Sequence, residues 1–172
     1  MHPIAMGALF ALQCFHVVFL ALHDWIPLGT FNDVKAVRKA NPGRKLVAAT
    51  LISLTPFAIG LAASAVYFGR AYPAWLFWWL SISYSLLFLG ELTAWWIPYL
   101  FRPDAKRAAR YQVMFGATHA FLPERNGIRP NTLHVILHIV TLTTLIVLGA
   151  LTVQQRWSNS RLVGLAPLVE AR

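Results

Sequence analysis

The chain has 172 residues, of which 58% are hydrophobic and only 12% are charged, and its formal net charge is +9. A soluble domain carries roughly 25% charged residues, and a domain of this size has too much surface to hide so many apolar side chains in a core. These figures exclude a water-soluble globule and predict an integral membrane protein. The only cysteine, Cys14, excludes an intrachain disulfide.

Four apolar stretches are each long enough to cross a bilayer, which takes about 20 residues. They cover residues 4–25, 46–69, 74–101 and 132–153. Neither a basic segment nor a clear cleavage site accompanies the first stretch, so we interpret it as a retained helix and not as a signal peptide. The sequence therefore predicts an all-α bundle of four transmembrane helices that forms a single membrane domain, residues 1–172.

The three loops between these spans differ strongly in charge. The first loop, residues 26–45, and the third, residues 102–131, hold 11 of the 15 Lys and Arg residues, whereas the second is little more than RAYP at 70–73. The positive-inside rule therefore predicts long basic cytoplasmic loops and both termini on the outer side. We expect a multi-pass protein of the cell membrane. Anionic lipid headgroups explain the net charge, and no nucleic acid partner is expected.

One segment of the third loop has a helical pattern. The sequence DAKRAARYQVMF, residues 104–115, starts with a suitable N-cap, Asp104, and stops at Gly116. Basic residues alternate with apolar ones, which favours an amphipathic helix in the headgroup plane, although a solvated basic loop is an alternative. After the fourth span, WSNSRLVGLAPLVEAR at 157–172 is a change in composition that we interpret as a short outer tail without assigned function.

The ionisable side chains in or next to the spans concentrate in the half that faces the predicted cytoplasm: His16, His23, Asp24, Glu91, His119, Glu124, His134 and His138. Only His2 lies near the opposite end. At about 1.5 Å per residue, Glu91, His138 and His16 lie at similar depths, roughly 10 to 14 Å from the inner boundary. A carboxylate that faces lipid costs at least a few kcal/mol, so Glu91 should face the bundle interior and meet the histidines there.

These residues suggest a metal site with catalytic groups around it. His134 and His138 are four residues apart, a spacing that places two imidazoles on one metal ion, and Glu91 can complete the ligand set. Histidine and carboxylate ligands suit a divalent zinc or iron ion. The predicted catalytic residues are Glu91, His23, Asp24 and His119, with His16 as a further candidate.

Four residues are predicted to bind the substrate. Tyr84 and Trp95 share a helix face with Glu91 and supply aromatic walls, while Asn131 is in line with the histidines of the fourth span. Arg125 at the mouth suits an anionic headgroup or a phosphate.

We therefore expect a small membrane enzyme that acts, with metal assistance, on a lipid or another hydrophobic small molecule near the cytoplasmic leaflet. Acid–base catalysis without a metal, proton transport and a purely structural polar network are alternatives. The size and helix count also resemble those of small membrane cytochromes b, which implies haem b between histidines of two helices. Membrane lipid is an expected partner, and the chain can form a homo-oligomer or join a larger membrane complex as an accessory subunit.

Overall fold

The computed structural model describes the backbone of residues 3–170 and the side chains of residues 4–155. His2 and the side chains of the predicted tail, 157–172, lie outside this part of the chain. All regular structure within it is helical, and four helices are long and apolar enough to cross a membrane. The prediction of an all-α protein with four helices of membrane-spanning length is confirmed.

The α-helices follow one another as α1 (Pro3–Leu22), α2 (Val34–Ala40), α3 (Gly43–Val66), α4 (Ala74–Glu91), α5 (Ile97–Leu100), α6 (Ala105–Phe115) and α7 (Thr132–Glu170). A 3-10 turn covers Gly29–Phe31, and a π-helical segment, Leu92–Trp96, joins α4 to α5. The candidate spans are Ile4–Leu22, Gly43–Val66, Ala74–Leu100 and Thr132–Gln155, with mean hydropathy between 1.3 and 2.2.

Short polar side chains determine where three helices begin. The carboxylate of Asp33 accepts from the amide of Ala36 at the start of α2, and Asp104 accepts from the amide of Arg107 at the start of α6. Asn131 caps α7, because its Oδ1 accepts from the third amide of that helix at 3.0 Å. Each cap satisfies an amide that the first turn leaves without a partner. Asp104 therefore has the capping role predicted from the sequence, and Asn131 has the same role at α7.

The four long helices form a ring in which α1 contacts α3 and α7, and α4 contacts the same two helices. Two places show how tightly the helices approach. A Cβ atom on Gly60 of α3 would lie only 2.8 Å from Leu80 Cδ2 of α4. Ser64, one turn further along α3, donates to Gln13 of α1 at 2.9 Å. Small residues on α3 thus allow close contact with both of its neighbours.

The two ends of the bundle differ. The end that carries the basic connections, residues 23–42 and 101–131, is called the basic end below, and the end at residues 67–73 is called the hairpin end. At the basic end α6 packs against α2 and the start of α3, where Val37, Leu46 and Met114 form a small apolar cluster. This packing covers the basic end with two short helices and encloses the space beneath them.

Candidate functional site

Glu91 lies at the junction between α4 and the π-helical segment. A π-turn contains one residue more than an α-turn and occurs frequently at functional sites. Pro98 follows this segment and has no N–H, so it donates to no carbonyl of the preceding turn, where Thr93 and Ala94 lie. The Glu91 side chain points into the bundle. Backbone carbonyls of the π-helical segment can accept hydrogen bonds at the surface of the helix.

The Glu91 side chain is only 5% exposed and reaches α7 through one hydroxyl group. Thr141 Oγ1 lies 2.8 Å from Glu91 Oε1 and 3.0 Å from the carbonyl of Leu137. The same hydroxyl lies 3.1 Å from Nε2 of His16 on α1. The ring of His16 is oriented by a 2.8 Å hydrogen bond from Nδ1 to the carbonyl of Leu12. Three helices therefore meet at Thr141.

This bridge has two consistent proton arrangements. In the neutral one, the proton of the His16 ring is on Nδ1, Nε2 accepts from Thr141, and the Thr141 oxygen accepts from protonated Glu91. In the ionic one, His16 donates through Nε2 to Thr141, and Thr141 donates to the Glu91 carboxylate. Glu91 gives a proton to Thr141 while Thr141 gives its own to His16, and this exchange interconverts the two arrangements. The three side chains form a hydroxyl-bridged acid–base chain.

Tyr84, a predicted substrate residue, belongs to this inner chain. Its ring is fully buried and meets His16 edge-on, with ring centroids 4.8 Å apart. Phe57 of α3 lies against both rings, at 5.0 Å from Tyr84 and 6.3 Å from His16. The aromatic contacts fix the imidazole between α1, α3 and α4.

His138 lies one turn closer to the basic end than Thr141. Trp96 Nε1 donates to His138 Nδ1 at 3.0 Å, so the neutral His138 ring carries its proton on Nε2. In this form neither ring nitrogen has a free lone pair. Trp96 of the π-segment thus donates a hydrogen bond inside the bundle.

His134 lies one further turn along α7. Its Nδ1 donates to Asn131 Oδ1 at 2.6 Å, and the same oxygen caps the helix. Because Nδ1 carries the proton, the neutral ring keeps a lone pair on Nε2. Trp95 and Phe115 enclose the ring, with centroids 4.6 and 5.0 Å away. The cap at the start of α7 therefore also selects the tautomer of His134.

His23, just after the last residue of α1, meets His134 edge-on with ring centroids 5.9 Å apart. Its Nδ1 donates to the carbonyl of Phe19 at 2.9 Å, and its Nε2 lies 3.3 Å from Asp24 Oδ1. Both ring nitrogens face oxygen acceptors, so the doubly protonated ring satisfies both contacts. The predicted pair of His23 and Asp24 is in direct contact.

His23, Asp24 and His134 line a cavity of about 320 Å³ at the basic end. Its lining combines three chemical groups: the polar His23, Asp24 and His134, the aromatic Trp95, Tyr111 and Phe115, and the basic Lys45 and Arg110. A larger cavity of about 520 Å³ lies between the π-segment and the start of α6 and contains no histidine. The smaller cavity is therefore the candidate site.

Two contacts hold the α6 wall of this cavity. Arg107 Nη1 donates to the carbonyls of Thr93 and Ala94 at 2.5 and 2.9 Å, and the Tyr111 hydroxyl donates to Ala94 at 3.2 Å. Both carbonyls lie in the turn before Pro98, which has no N–H to donate. Burial raises the pKa of Tyr111 against the opposing effect of the neighbouring arginines, which keeps its hydroxyl a donor.

Two other predicted site residues lie at the basic end but outside the cavity lining. His119 is exposed, with Nδ1 2.7 Å from Thr132 Oγ1. Arg125 is also exposed, and its backbone pairs with Ile128 to close a tight turn. Glu91 likewise does not line the cavity, because its carboxyl group faces Thr141.

The predicted metal ligands do not converge on one point. Among the side chains that the structure describes, no group of three or more His, Cys, Asp or Glu residues is placed to hold a metal ion. Glu91 contacts Thr141, and His138 Nδ1 accepts from Trp96. We therefore assign none of these residues to a metal and derive no chemical step through one.

Several residues of the site were not identified from the sequence. Thr141 gave a signal, since it follows His134 and His138 by seven and three residues and shares their helix face. No comparable pattern distinguishes Arg107, Lys45 or Arg110 from the other basic residues of the loops. Comparison of the chain with protein-family models, with curated proteins and with solved structures finds no significant match. The functional argument therefore depends on the geometry of this chain.

Proposed function

We propose that this protein is a small integral membrane enzyme that acts on a lipid or another amphiphilic molecule by acid–base catalysis. The observation that carries the proposal is the cavity of about 320 Å³, in which two imidazoles meet aromatic walls and two cationic side chains. Ligand sites of this kind are mostly apolar, with a few polar groups that orient the ligand.

The lining suits an amphiphile with an anionic end. Trp95, Tyr111 and Phe115 offer apolar surface to a hydrophobic chain. Lys45 and Arg110 line the same cavity, and their charges favour a phosphate or a carboxylate. A membrane lipid combines the two features and reaches a cavity at the end of a bundle without leaving the bilayer.

The proton states of the two imidazoles assign their roles. His134 keeps a lone pair on Nε2, because Asn131 holds the proton on Nδ1, and this makes it the general base. His23 has an acceptor at each nitrogen, Phe19 O and Asp24, and in its doubly protonated form it is the general acid. The two rings are 5.9 Å apart between centroids, which leaves a reacting group within reach of both.

The test uses purified protein in vesicles made from a total lipid extract, with the lipid composition followed by mass spectrometry. The wild type should convert one lipid class, and His134→Gln should slow the conversion by roughly 100- to 10,000-fold, the usual contribution of a general base. His119→Gln is the comparison variant, because that imidazole is exposed and outside the cavity lining. Equal loss in both variants would contradict the assignment of His134.

The same experiment separates the other candidate functions. A lipid that copurifies but stays unchanged would favour a binding or accessory subunit over an enzyme. Conversion that appears only after zinc or ferrous iron is added would support the predicted metal assistance. A visible absorption band of the purified protein would indicate haem b and electron transfer.

A further inference from the structure

Buried polar side chains extend through the whole bundle and not only around the cavity. In addition to the cavity residues, Gln13, His16, Ser64, Thr141 and Thr144 are almost fully buried in the described part of the chain. A bundle that needs only packing has little use for such groups at this depth. Hydrogen bonds join Ser64 to Gln13 and His16 to Thr141, and we call these groups, together with the residues described next, the column.

The part of the column near the hairpin end begins with Tyr72. This residue is 1% exposed, and its hydroxyl lies beside Ser64 and Gln13, although without a hydrogen bond of good geometry. Ser64 donates to Gln13 Oε1 at 2.9 Å. His16 follows Gln13 by three residues on the same face of α1, a rise of about 4.5 Å.

The centre of the column is the acid–base chain of His16, Thr141 and Glu91. Distances of 3.1 and 2.8 Å connect the three side chains through one hydroxyl group. From the ionic arrangement, the proton on His16 Nε2 passes to the Thr141 oxygen as the Thr141 proton moves to the Glu91 carboxylate. The His16 N–H bond and the Thr141 O–H bond break, and O–H bonds form on Thr141 and on Glu91. Thr141 is therefore again a neutral hydroxyl after the step.

The part near the basic end continues through three imidazoles. His138 precedes Thr141 by three residues on α7, and its ring centroid lies 6.4 Å from that of His134. His134 lies 5.9 Å from His23, which contacts Asp24 at the cavity. Successive proton-binding groups thus lead from the centre of the bundle to the basic end.

Several buried atoms along this line have no hydrogen-bond partner among the described residues: Gln13 Nε2, Tyr72 Oη, Tyr84 Oη and Glu91 Oε2. A buried polar atom without a partner costs about 1–3 kcal/mol, and internal water commonly supplies the missing bond. Gln13, Tyr72 and Glu91 belong to the column, and the Tyr84 ring contacts His16. A fifth such atom, Asn131 Nδ2, belongs to the side chain that contacts His134.

We propose that this column is a transmembrane proton path, in which Tyr72, Ser64, Gln13, His16, Thr141, Glu91, His134 and His23 conduct protons together with internal water. This activity goes beyond the proposed enzyme function and does not depend on it. It requires no substrate, and it uses the carboxyl group that the cavity leaves unused. Glu91 and His16 store the proton, and Thr141 transfers it between them.

Proton flux into vesicles tests the proposal directly. Purified protein is reconstituted into phosphatidylcholine vesicles that contain a pH-sensitive dye and potassium, and valinomycin sets a negative internal potential. Wild-type vesicles should acidify faster than protein-free vesicles. Thr141→Val removes the bridging hydroxyl without a change in shape and should lower the protein-dependent flux by roughly 100-fold, the scale of losing a positioned proton-transfer group.

Thr144→Val is the matched control, because Thr144 is equally buried on α7 but donates to the carbonyl of Val140. Its flux should equal that of the wild type. If Thr141→Val does not retain its helical circular dichroism and monodisperse elution, Glu91→Gln decides, since the amide keeps an acceptor for Thr141 but cannot carry the proton. Wild-type flux equal to that of protein-free vesicles would overturn the proposal, as would equal flux in the folded Thr141→Val and Thr144→Val variants.

Discussion

At the scale of single residues, two polar side chains of this protein each have two roles. Asn131 both caps α7 and holds a proton on His134, and Thr141 contacts both Glu91 and His16. A side chain with two such roles cannot be replaced without changing both the packing and the proton positions. Substitutions at these residues are therefore informative when a matched variant changes only one of the two.

Arg107 provides a prediction at this scale. Its guanidinium group donates to the carbonyls of Thr93 and Ala94, which lie in the turn before Pro98. Arg107→Ala should lower the free energy of unfolding by about 1–3 kcal/mol, because two hydrogen bonds from a charged donor are lost, while Ala94 keeps the Tyr111 hydroxyl as a donor. Thermal unfolding in detergent, followed by tryptophan fluorescence, measures this change.

Lys106→Ala is the control for this substitution, since Lys106 is exposed on the same helix. Its effect should stay within about 0.5 kcal/mol. A loss of similar size in both variants would show that helix charge, and not the contact with the π-segment, explains the destabilisation.

At the scale of helices, the relative rotation of α3 and α4 depends on one glycine. The space between Gly60 and Leu80 does not admit a Cβ atom, which would approach Leu80 Cδ2 to 2.8 Å. The close approach lets Trp79 donate to the carbonyl of Pro56 at 2.9 Å. Helix packing of this kind depends on small residues. Lipid tails are as apolar as leucine side chains, so moving an apolar side chain from lipid into the bundle gains no hydrophobic free energy.

Gly60→Ala should therefore destabilise the bundle by about 1–3 kcal/mol, the usual cost of overpacking. Gly149→Ala on α7 is a suitable comparison, since a Cβ atom there would meet nothing within 4 Å. That variant should be neutral or more stable by up to about 1 kcal/mol, because alanine favours a helix over glycine. Thermal unfolding of both variants in the same detergent provides the comparison, and a stable Gly60→Ala would contradict the inferred contact.

The depth of Glu91 explains a difference between the expected and the observed site. The spacing predicts that Glu91 and Trp95 share one face, with Glu91 beside the histidines of α7. Both side chains face α7, but Glu91 precedes Trp95 by four residues, a rise of about 6 Å. Trp95 therefore contacts His134 in the cavity, while Glu91 contacts Thr141 deeper in the bundle.

At the scale of the whole molecule, the distribution of charge predicts orientation. The basic end and the first turn of α3 together carry 11 of the 15 Lys and Arg residues, which favours a cytoplasmic position for this end. The chain suits a labelling test, because Cys14 is its only cysteine and can be replaced by alanine. Single cysteines then report on the hairpin end at Arg70 and on the basic end at Lys106, both of which are exposed.

In intact cells, a membrane-impermeant maleimide should label Arg70→Cys and leave Lys106→Cys unlabelled until the membrane is permeabilised. The physical reason is the cost of moving many basic residues across the membrane. The opposite labelling pattern would place the basic end outside. It would also place the proposed lipid site in the outer leaflet.

The sequence by itself determined that four helices are long and apolar enough to cross a membrane, and where several helices start. Those properties depend on hydropathy over about 20 residues or on the contact of one cap with the next helical turn. The clustering of histidines and carboxylates in one half was visible for the same reason, since depth follows from position along a helix.

Only the tertiary structure decided which of these groups meet. The contact of Glu91 with His16 through Thr141 joins residues that are 50 and 125 positions apart in the chain. It depends on helix rotation, which the close approach at Gly60 and the π-segment set together. A shift of one residue rotates a side chain by about 100° to another face of its helix. Hydropathy and local spacing do not specify which face meets which neighbouring helix.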